Sequence, residues 1–361
     1  MKIIDQSLLD RFEKFFHNLK PEDNIALFHD TDPDGTTSGR LICEAVRLLG
    51  CKISLLVTDH SHTINDKVIE QLKKHQINKL ITTDKSIDED SGQIKKVEKF
   101  AEICAFDHHV IQSDISSAKT VFLKAQLIFD TKQPSKYCSA KLAYDLLNRI
   151  VDLSYLDWLC VAGIIGDMAS EMWEEFITKV FRKYDLEKKT DLFETKIGLL
   201  TQLISFAEAM GEDKECMQTV LSSHELDELL VKLEKYQKVK DDVDYYFINF
   251  EQLAEKYDHL YFLEIKSKYF IKTIVASKVS NVKFPHDTLV VIQKTRKGYA
   301  ISGRRNDSKI SMNELLKKSV DGLEGNAGGH IPASGASISS KDFPKFKDNL
   351  LKIHAELCGS N

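Results

Sequence analysis

The chain has 361 residues, 42% hydrophobic and 29% charged, with a formal net charge of −5. This is enough chain for two ordinary cores, and the mix excludes disordered, collagen-like and disulfide-scaffold proteins. The acidic balance argues against a large nonspecific nucleic-acid-coating surface, but not against an enzyme whose bound cations offset that charge where a phosphate sits.

The opening MKIIDQSLLDRFEKFF is amphipathic and interspersed with charge, without the apolar core and cleavage site of a signal peptide. No run reaches the roughly 20 apolar residues of a membrane-spanning helix. Cys43, Cys51, Cys104, Cys138, Cys160, Cys216 and Cys358 form no C-x-x-C pair, and several lie in apolar runs. They read as reduced, buried thiols of a cytoplasmic protein. NIALFHD (24–30) predicts a strand, SGRLICEAVRLLG (38–50) a helix stopping at Gly50, and KISLLVTD (52–59) a second strand. NDKVIEQLKKHQ (65–76) predicts a helix, while KLITTD (79–84) and KFAEICAFDHH (99–109) predict strands. Such alternation gives an α/β fold with a parallel sheet. Asp30, Asp84 and Asp107 each stand at a strand end, the edge where parallel sheets bind ligands.

SAKLAYDLLNRI (139–150) and LDWLCVAGIIGDMAS (156–170) predict helices. From 171 to 258 the chain is charged, helix-rich and free of proline, which suits a connector or insertion; HELDELLVKLEKYQKVKDDVDYYFINFEQLAEKY predicts one long helix or two. LYFLEI, DTLVVIQK and GYAISGRR then read as strands, FIKTIVASKVSN and SMNELLKKSV as helices, and GLEGNAGGHIPASGASI (322–338) as a glycine-rich loop. The predicted domains are 1–170, 171–258 and a smaller α/β domain over 259–361.

The densest chemistry is His29-Asp30-Thr31-Asp32-Pro33-Asp34-Gly35, with three carboxylates and an imidazole at a strand end. An oxygen-rich cluster suits Mg²⁺ or Mn²⁺, and a histidine ligand favours Mn²⁺. Thr36-Thr37-Ser38 supplies a cap for the helix that follows. A solvated Asx-turn loop is the plainer alternative. A calcium loop is excluded, because its closing acidic position falls on Leu41. Asp107-His108-His109 repeats the theme: one histidine can hold metal while its neighbour faces substrate. Asp167 is the lone carboxylate in VAGIIGDMAS and needs a partner if buried. Gly328-Gly329-His330 offers close backbone approach to an anion, and Arg304-Arg305 offers guanidinium forks.

Taken in order, these segments resemble the DHH phosphoesterase superfamily. Asp30–Gly35 looks like its first motif, Asp84 its second, Asp107-His108-His109 the naming triplet, and Gly166-Asp167 the fourth. Gly328 to Gly335 is similar to the GGGH-x-x-A-A-G signature of the DHH-associated domain, with Ala327 and Ser334 as the departures. The resemblance covers about 1–170 and 260–340. It implies an N-terminal parallel-sheet DHH domain, a helical connector, a smaller DHH-associated domain, and two divalent ions, Mn²⁺ ahead of Mg²⁺. Asp32 and Asp84, with Asp30 or else His29, would hold one ion. Asp34, Asp84, His108 and Asp167 would hold the other. Such ions activate water for in-line attack on phosphorus. The resemblance further implies that His109 meets the scissile phosphate while Asp107 orients its neighbours. Arg304, Arg305, Gly328, Gly329 and His330 would hold a nucleotide phosphate.

D-x-D-x-D-G-x-T-S-G is closer to RecJ-like exonucleases than to nanoRNases, and the length is closer to compact archaeal RecJ-like or short-oligonucleotide enzymes. The partners implied are single-stranded DNA or RNA or short oligonucleotides, with no membrane. The alternatives are a nanoRNase, a cyclic-dinucleotide or 3′-phosphoadenosine-type phosphatase, or a non-catalytic replication scaffold. The helices of 171–258 read as a structural linker, with a strand or a protein partner as the other choice. Oligomerisation is left open.

Overall fold

In a computed structural model, residues 1–58 and 61–359 are described; Asp59, at the end of the predicted strand 52–59, lies outside them. The chain divides into two compact units, Met1–Glu208 with Glu212–Tyr236, and Ala209–Gly211 with Gln237–Asn361. The 171–258 stretch is therefore shared between them. Its helices Glu174–Lys183, Asp213–Ser222 and Leu226–Leu233 bury Ile177, Phe181, Met217, Val220, Leu229 and Leu233 in the first unit. The predicted long helix breaks into Leu226–Leu233, a 3₁₀ turn, Lys240–Ile248 and Phe250–Leu253, before a short strand.

The first unit is built on strands β1 (Ile25–His29), β2 (Ile53–Thr58), β3 (Lys79–Thr83), β4 (Glu102–Phe106) and β5 (Thr120–Leu123), all parallel in the order β2-β1-β3-β4-β5. β1 and β3 are buried along their whole length, which is why they read as near-continuous apolar runs. Phe28, Leu80, Ile103 and Phe122 pack with Val68, Leu72, Ile94 and Val97 from helices. β5 escaped the sequence reading because TVFL is too short to carry a period.

The second unit adds β6 (Glu255–Tyr257), β7 (Leu260–Ile265), β8 (Thr288–Lys294), β9 (Gly298–Arg304), β10 (Gly325–Gly329) and β11 (Ala333–Ser339), in the order β10-β11-β9-β8-β7-β6. Only the β7–β8 pairing is parallel among the described pairs. Val290, Ile292, Ile301, Leu315, Leu316, Phe346 and Leu350 form its core. The predicted glycine loop is instead a β-hairpin, with Gly328 opposite Gly335. Small residues on both strands let the two backbones pair, even though glycine disfavours strands on propensity alone. A C-terminal helix, Phe343–Gly359, was also not anticipated. Among the described residues no helix is long and apolar enough to cross a membrane, and the seven cysteines are free thiols.

Candidate metal centre

His29, Thr83 and Phe106 are register partners across β1, β3 and β4. Asp30, Asp84 and Asp107, each one residue further, therefore leave the sheet at one level, and their N–H groups still donate to Thr83, Phe106 and Leu123 carbonyls. Asp84 adopts φ +59°, a left-handed conformation that costs on the order of 1 kcal/mol or more in a non-glycine residue. The sheet bond from its N–H, at 2.9 Å, holds it there.

The helix after β1 runs Pro33–Leu48, beginning earlier than the predicted 38. Asp32 in extended conformation is its N-cap, accepting from Gly35 N at 2.8 Å, and Pro33 fits the first turn, which lacks a use for its N–H. The cap role expected of Thr36-Thr37-Ser38 belongs to Asp32. A Cβ on Gly35 would meet the Asp30 carbonyl oxygen at 2.5 Å, so glycine is required for the helix to start this close to the strand. Asp34 is turned inward. Its two oxygens accept from Ser139 N (2.7 Å) and Ala140 N (2.8 Å), the first N–H groups of the helix Ser139–Leu147. Helix N-termini offer such unpaired donors to anions. Gly163 keeps the neighbouring helix clear, since a Cβ there would lie 3.1 Å from Asp34 Oδ1 and 2.5 Å from Ala140.

His108 Nδ1 donates to the Ser135 carbonyl at 2.9 Å. This leaves Nε2 on the carboxylate side, 3.3 Å from Asp84 Oδ1 and 4.0 Å from Asp34 Oδ2. Asp167, at the end of the helix Asp157–Gly166, approaches the ring from the other nitrogen, its Oδ2 3.5 Å from Nδ1. His109 takes a different partner: its Nδ1 donates to Asp107 Oδ1 at 2.7 Å. Asp107 is buried and faces away from the cluster on its second oxygen, which meets the Lys124 ammonium at 2.7 Å.

Asp30 and His29 part company. Asp30 Oδ1 accepts from Thr31 N and is ion-paired at 2.8 Å to Lys85, whose side chain is fully buried. His29 packs beneath the helix, where a Cβ at Gly39 would lie 3.4 Å from its ring, and donates from Nδ1 to the Asp30 carbonyl. Its Nε2 has no hydrogen-bond partner among the described residues. Burial holds its pKa below the ordinary histidine value. Lys85, Lys124 and Glu208, which accepts from Thr31 Oγ1 at 3.3 Å, were missed from sequence. Lys124 directly follows β5 and Lys85 lies two residues beyond β3, but no sequence signal marks either lysine as buried.

The electrostatics call for a cation. Burial, then Asp84, pushes the Asp34 carboxyl well above its usual range. Asp32 is raised likewise by burial, Asp84, Asp30, Asp34 and Glu208. Burial also raises Asp167, though His108 opposes it. Asp84 moves the other way, to about 2: burial would raise it, but the His108 hydrogen bond and charge prevail. Burial would lower His108, and Asp167, Asp84 and Asp34 lift it well above its usual value. Several buried like charges cannot all be ionised without compensation. Asp34, Asp84 and His108 present ligand atoms within 4.8 Å of one another. Mostly oxygen donors with one imidazole fit a hard to borderline divalent ion, and the His108–Ser135 bond is the kind that fixes a ligand imidazole.

In the second unit, Arg304 closes β9. Its Nε donates to Ser277 Oγ at 3.2 Å, and among the described residues its guanidinium meets no carboxylate. Burial alone lowers it to about 10. Arg305, grouped with it in the sequence reading, is different: it is buried and clamped to Asp307 (Nε–Oδ1 2.7 Å) and Thr288, so it braces the unit. Gly328 and Gly329 are exposed on edge strand β10, and His330 opens the turn, its N–H donating to Ala333 O at 2.7 Å.

Residues 271–356 match the DHHA1 domain family. Three solved structures share the fold. RecJ in complex with Mn²⁺ from Thermus thermophilus is 17% identical with a TM-score of 0.74, over 98% of this chain and 56% of that one. An exonuclease RecJ bound to manganese is 16% identical with a TM-score of 0.68, over 98% and 95%. The DHH domain of a protein assigned to a family of ribosomal proteins is 13% identical with a TM-score of 0.72, over 96% and 90%. The chain thus spans little more than half the length of the Thermus protein. No curated protein matches it in sequence.

Proposed function

We propose that this chain, which has the fold of the DHH superfamily and carries a DHHA1 domain, is a metal-dependent phosphoesterase, and more finely an exonuclease releasing nucleoside monophosphates from single-stranded DNA or RNA. The observation that carries this reading is the buried carboxylate–imidazole cluster at the sheet edge, whose charges are unbalanced without cations. Asp32, Asp34, Asp84, His108 and Asp167 would hold two divalent ions, Mn²⁺ before Mg²⁺, with Asp84 shared. Asp30 remains a candidate for the first ion through the oxygen that Lys85 does not occupy, and His29 is its alternative.

The ions would supply Lewis acidity and lower the pKa of a water near the phosphorus. The protein's own groups do the rest. Ser139 and Ala140 N–H fix both oxygens of Asp34. Ser135 fixes the His108 tautomer. Asp107 holds His109, which would meet the scissile phosphate and accept or return a proton. Arg304 would pair with a strand phosphate, with Gly328, Gly329 and His330 contributing backbone and imidazole contacts. Arg305 is left out of this set because Asp307 already occupies it.

The test is hydrolysis of 5′- and 3′-labelled single strands, from dinucleotides to long oligomers, with Mn²⁺. Mononucleotide release along the full series is expected. Cleavage confined to the shortest oligomers would move the reading to a short-oligonucleotide phosphodiesterase. Absence of any Mn²⁺-dependent hydrolysis would leave a scaffold.

A further inference from the structure

The turn bearing His108 and His109 is fastened from behind by an ammonium group. Lys124 follows β5, with 0% of its side chain exposed. Its Nζ lies 2.7 Å from Asp107 Oδ2 and 3.4 Å from Asp88 Oδ1, and it donates to the carbonyls of His109 (2.9 Å) and Val110 (3.4 Å). Asp88 sits in the 3₁₀ turn Ile87–Glu89 after β3 and is itself fully buried. Its Oδ2 accepts from Gln112 N at 2.7 Å, and its carbonyl accepts from Ser113 Oγ at 2.6 Å. The other Asp107 oxygen takes His109 Nδ1. A continuous chain therefore runs Asp88–Lys124–Asp107–His109, drawing on the segments after β3, β4 and β5.

Three buried charges are a costly way to anchor a loop, because well-packed apolar side chains serve stability as well or better. What apolar groups cannot do is set the orientation of a carboxylate. Without Lys124, one oxygen of Asp107 would have no cation, and the carboxylate could rotate or shift toward the cluster. The His109 ring would turn with it, since a histidine's partner on one nitrogen fixes the tautomer and aim of the other.

We propose that Lys124, supported by Asp88, is a positioning residue that locks the Asp107 carboxylate and so fixes the tautomer and ring plane with which His109 meets the substrate phosphate. This rests on the phosphoesterase reading for its kinetic consequence, but not for its structural one.

The experiment uses the full chain with Mn²⁺ and a labelled single-stranded oligonucleotide. Lys124→Met is expected to lower kcat about ten- to a hundredfold, with KM and calorimetric Mn²⁺ affinity within about twofold of the parent. Combined with His109→Ala it should cause little further loss, because the two act as one unit. Imidazole ¹⁵N spectra of the metal-free protein should show His109 protonated on Nδ1 in the parent and a mixture of tautomers in Lys124→Met. If that variant fails to fold, Asp88→Asn, which leaves Asp107 paired, should show the same pattern at smaller amplitude. Losses that multiply with those of His109→Ala, or an unchanged His109 spectrum, would overturn the proposal. If the parent shows no Mn²⁺-dependent hydrolysis, the phosphoesterase reading fails, and the ¹⁵N spectra alone still decide whether Lys124 orients His109.

Discussion

The carboxyl edge of the parallel sheet and the glycine hairpin of the mixed sheet handle charge in opposite ways. At the first, Asp34, Asp84 and His108 are buried, and each is tied by backbone or side-chain bonds to elements far away in sequence. The charges crowd one another, and the fold holds them in place against that repulsion. At the second, β10 presents exposed backbone with almost no side chain, and among the described residues the nearby Arg304 has no carboxylate partner. On the proposed reading, the first region holds cations and the second an anion. Mutations at the first should therefore act on turnover and on metal-dependent stability, while mutations at the second should act on substrate affinity.

The largest effect should come from Asp84→Ala or His108→Ala. Each should cut Mn²⁺-dependent turnover by about a thousandfold or more while leaving the circular-dichroism melt cooperative. Full activity in either would break the assignment of the first region.

Next in size is a metal- and pH-dependent stability. Asp32 and Asp34 have folded-state pKa values above their unfolded ones. Between those values the folded protein binds more protons than the unfolded chain, so stability falls as pH rises through that window. With chelator present, Tm should drop from mildly acidic pH upward. Mn²⁺ at a hundredfold excess over Kd should restore about 2.7 kcal/mol per bound ion. Asp32→Asn should flatten the chelated profile, and a metal-free melt that improves with pH would contradict the crowding.

Arg304→Ala should raise KM by about tenfold or more, the worth of one hydrogen bond to a charged group, with unchanged calorimetric Mn²⁺ binding. A change in Mn²⁺ affinity would blur the division of labour. The smallest effect is on stability within the hairpin. Gly328→Ala should stay within about 0.5 kcal/mol by urea melts, because a Cβ there meets nothing within 4 Å. Gly329→Ala should be clearly worse, since φ is +140° and its Cβ would lie 2.7 Å from the Ala333 carbonyl oxygen.

Much of this was legible because strands announce themselves through apolar runs and their ends through the first aspartate. Asp30, Asp84 and Asp107 could be placed on one edge from sequence because parallel register follows from the alternation of strand and helix. The partners that aim those aspartates were not legible. The backbone N–H groups of Ser139 and Ala140 lie over a hundred residues from Asp34 and carry no side-chain signature. Lys85 and Lys124 have the residue type of a solvated surface, and only tertiary burial reveals their role. The hairpin was hidden for the converse reason. Its strands are mostly glycine, alanine and serine, so pairing with each other and of β11 with β9, rather than any local preference, defines them.

The left-handed backbone of Asp84 has a consequence for how this protein could change. Asp84→Gly would relieve that conformation and ease the repulsion on Asp32 and Asp34, while removing the ion pair with His108. Selection for heat resistance alone would thus weigh a relaxed backbone and less crowding against the loss of the Asp84–His108 ion pair. A library at position 84 sorted first for folding and then for Mn²⁺ binding should therefore enrich different residues in the two rounds.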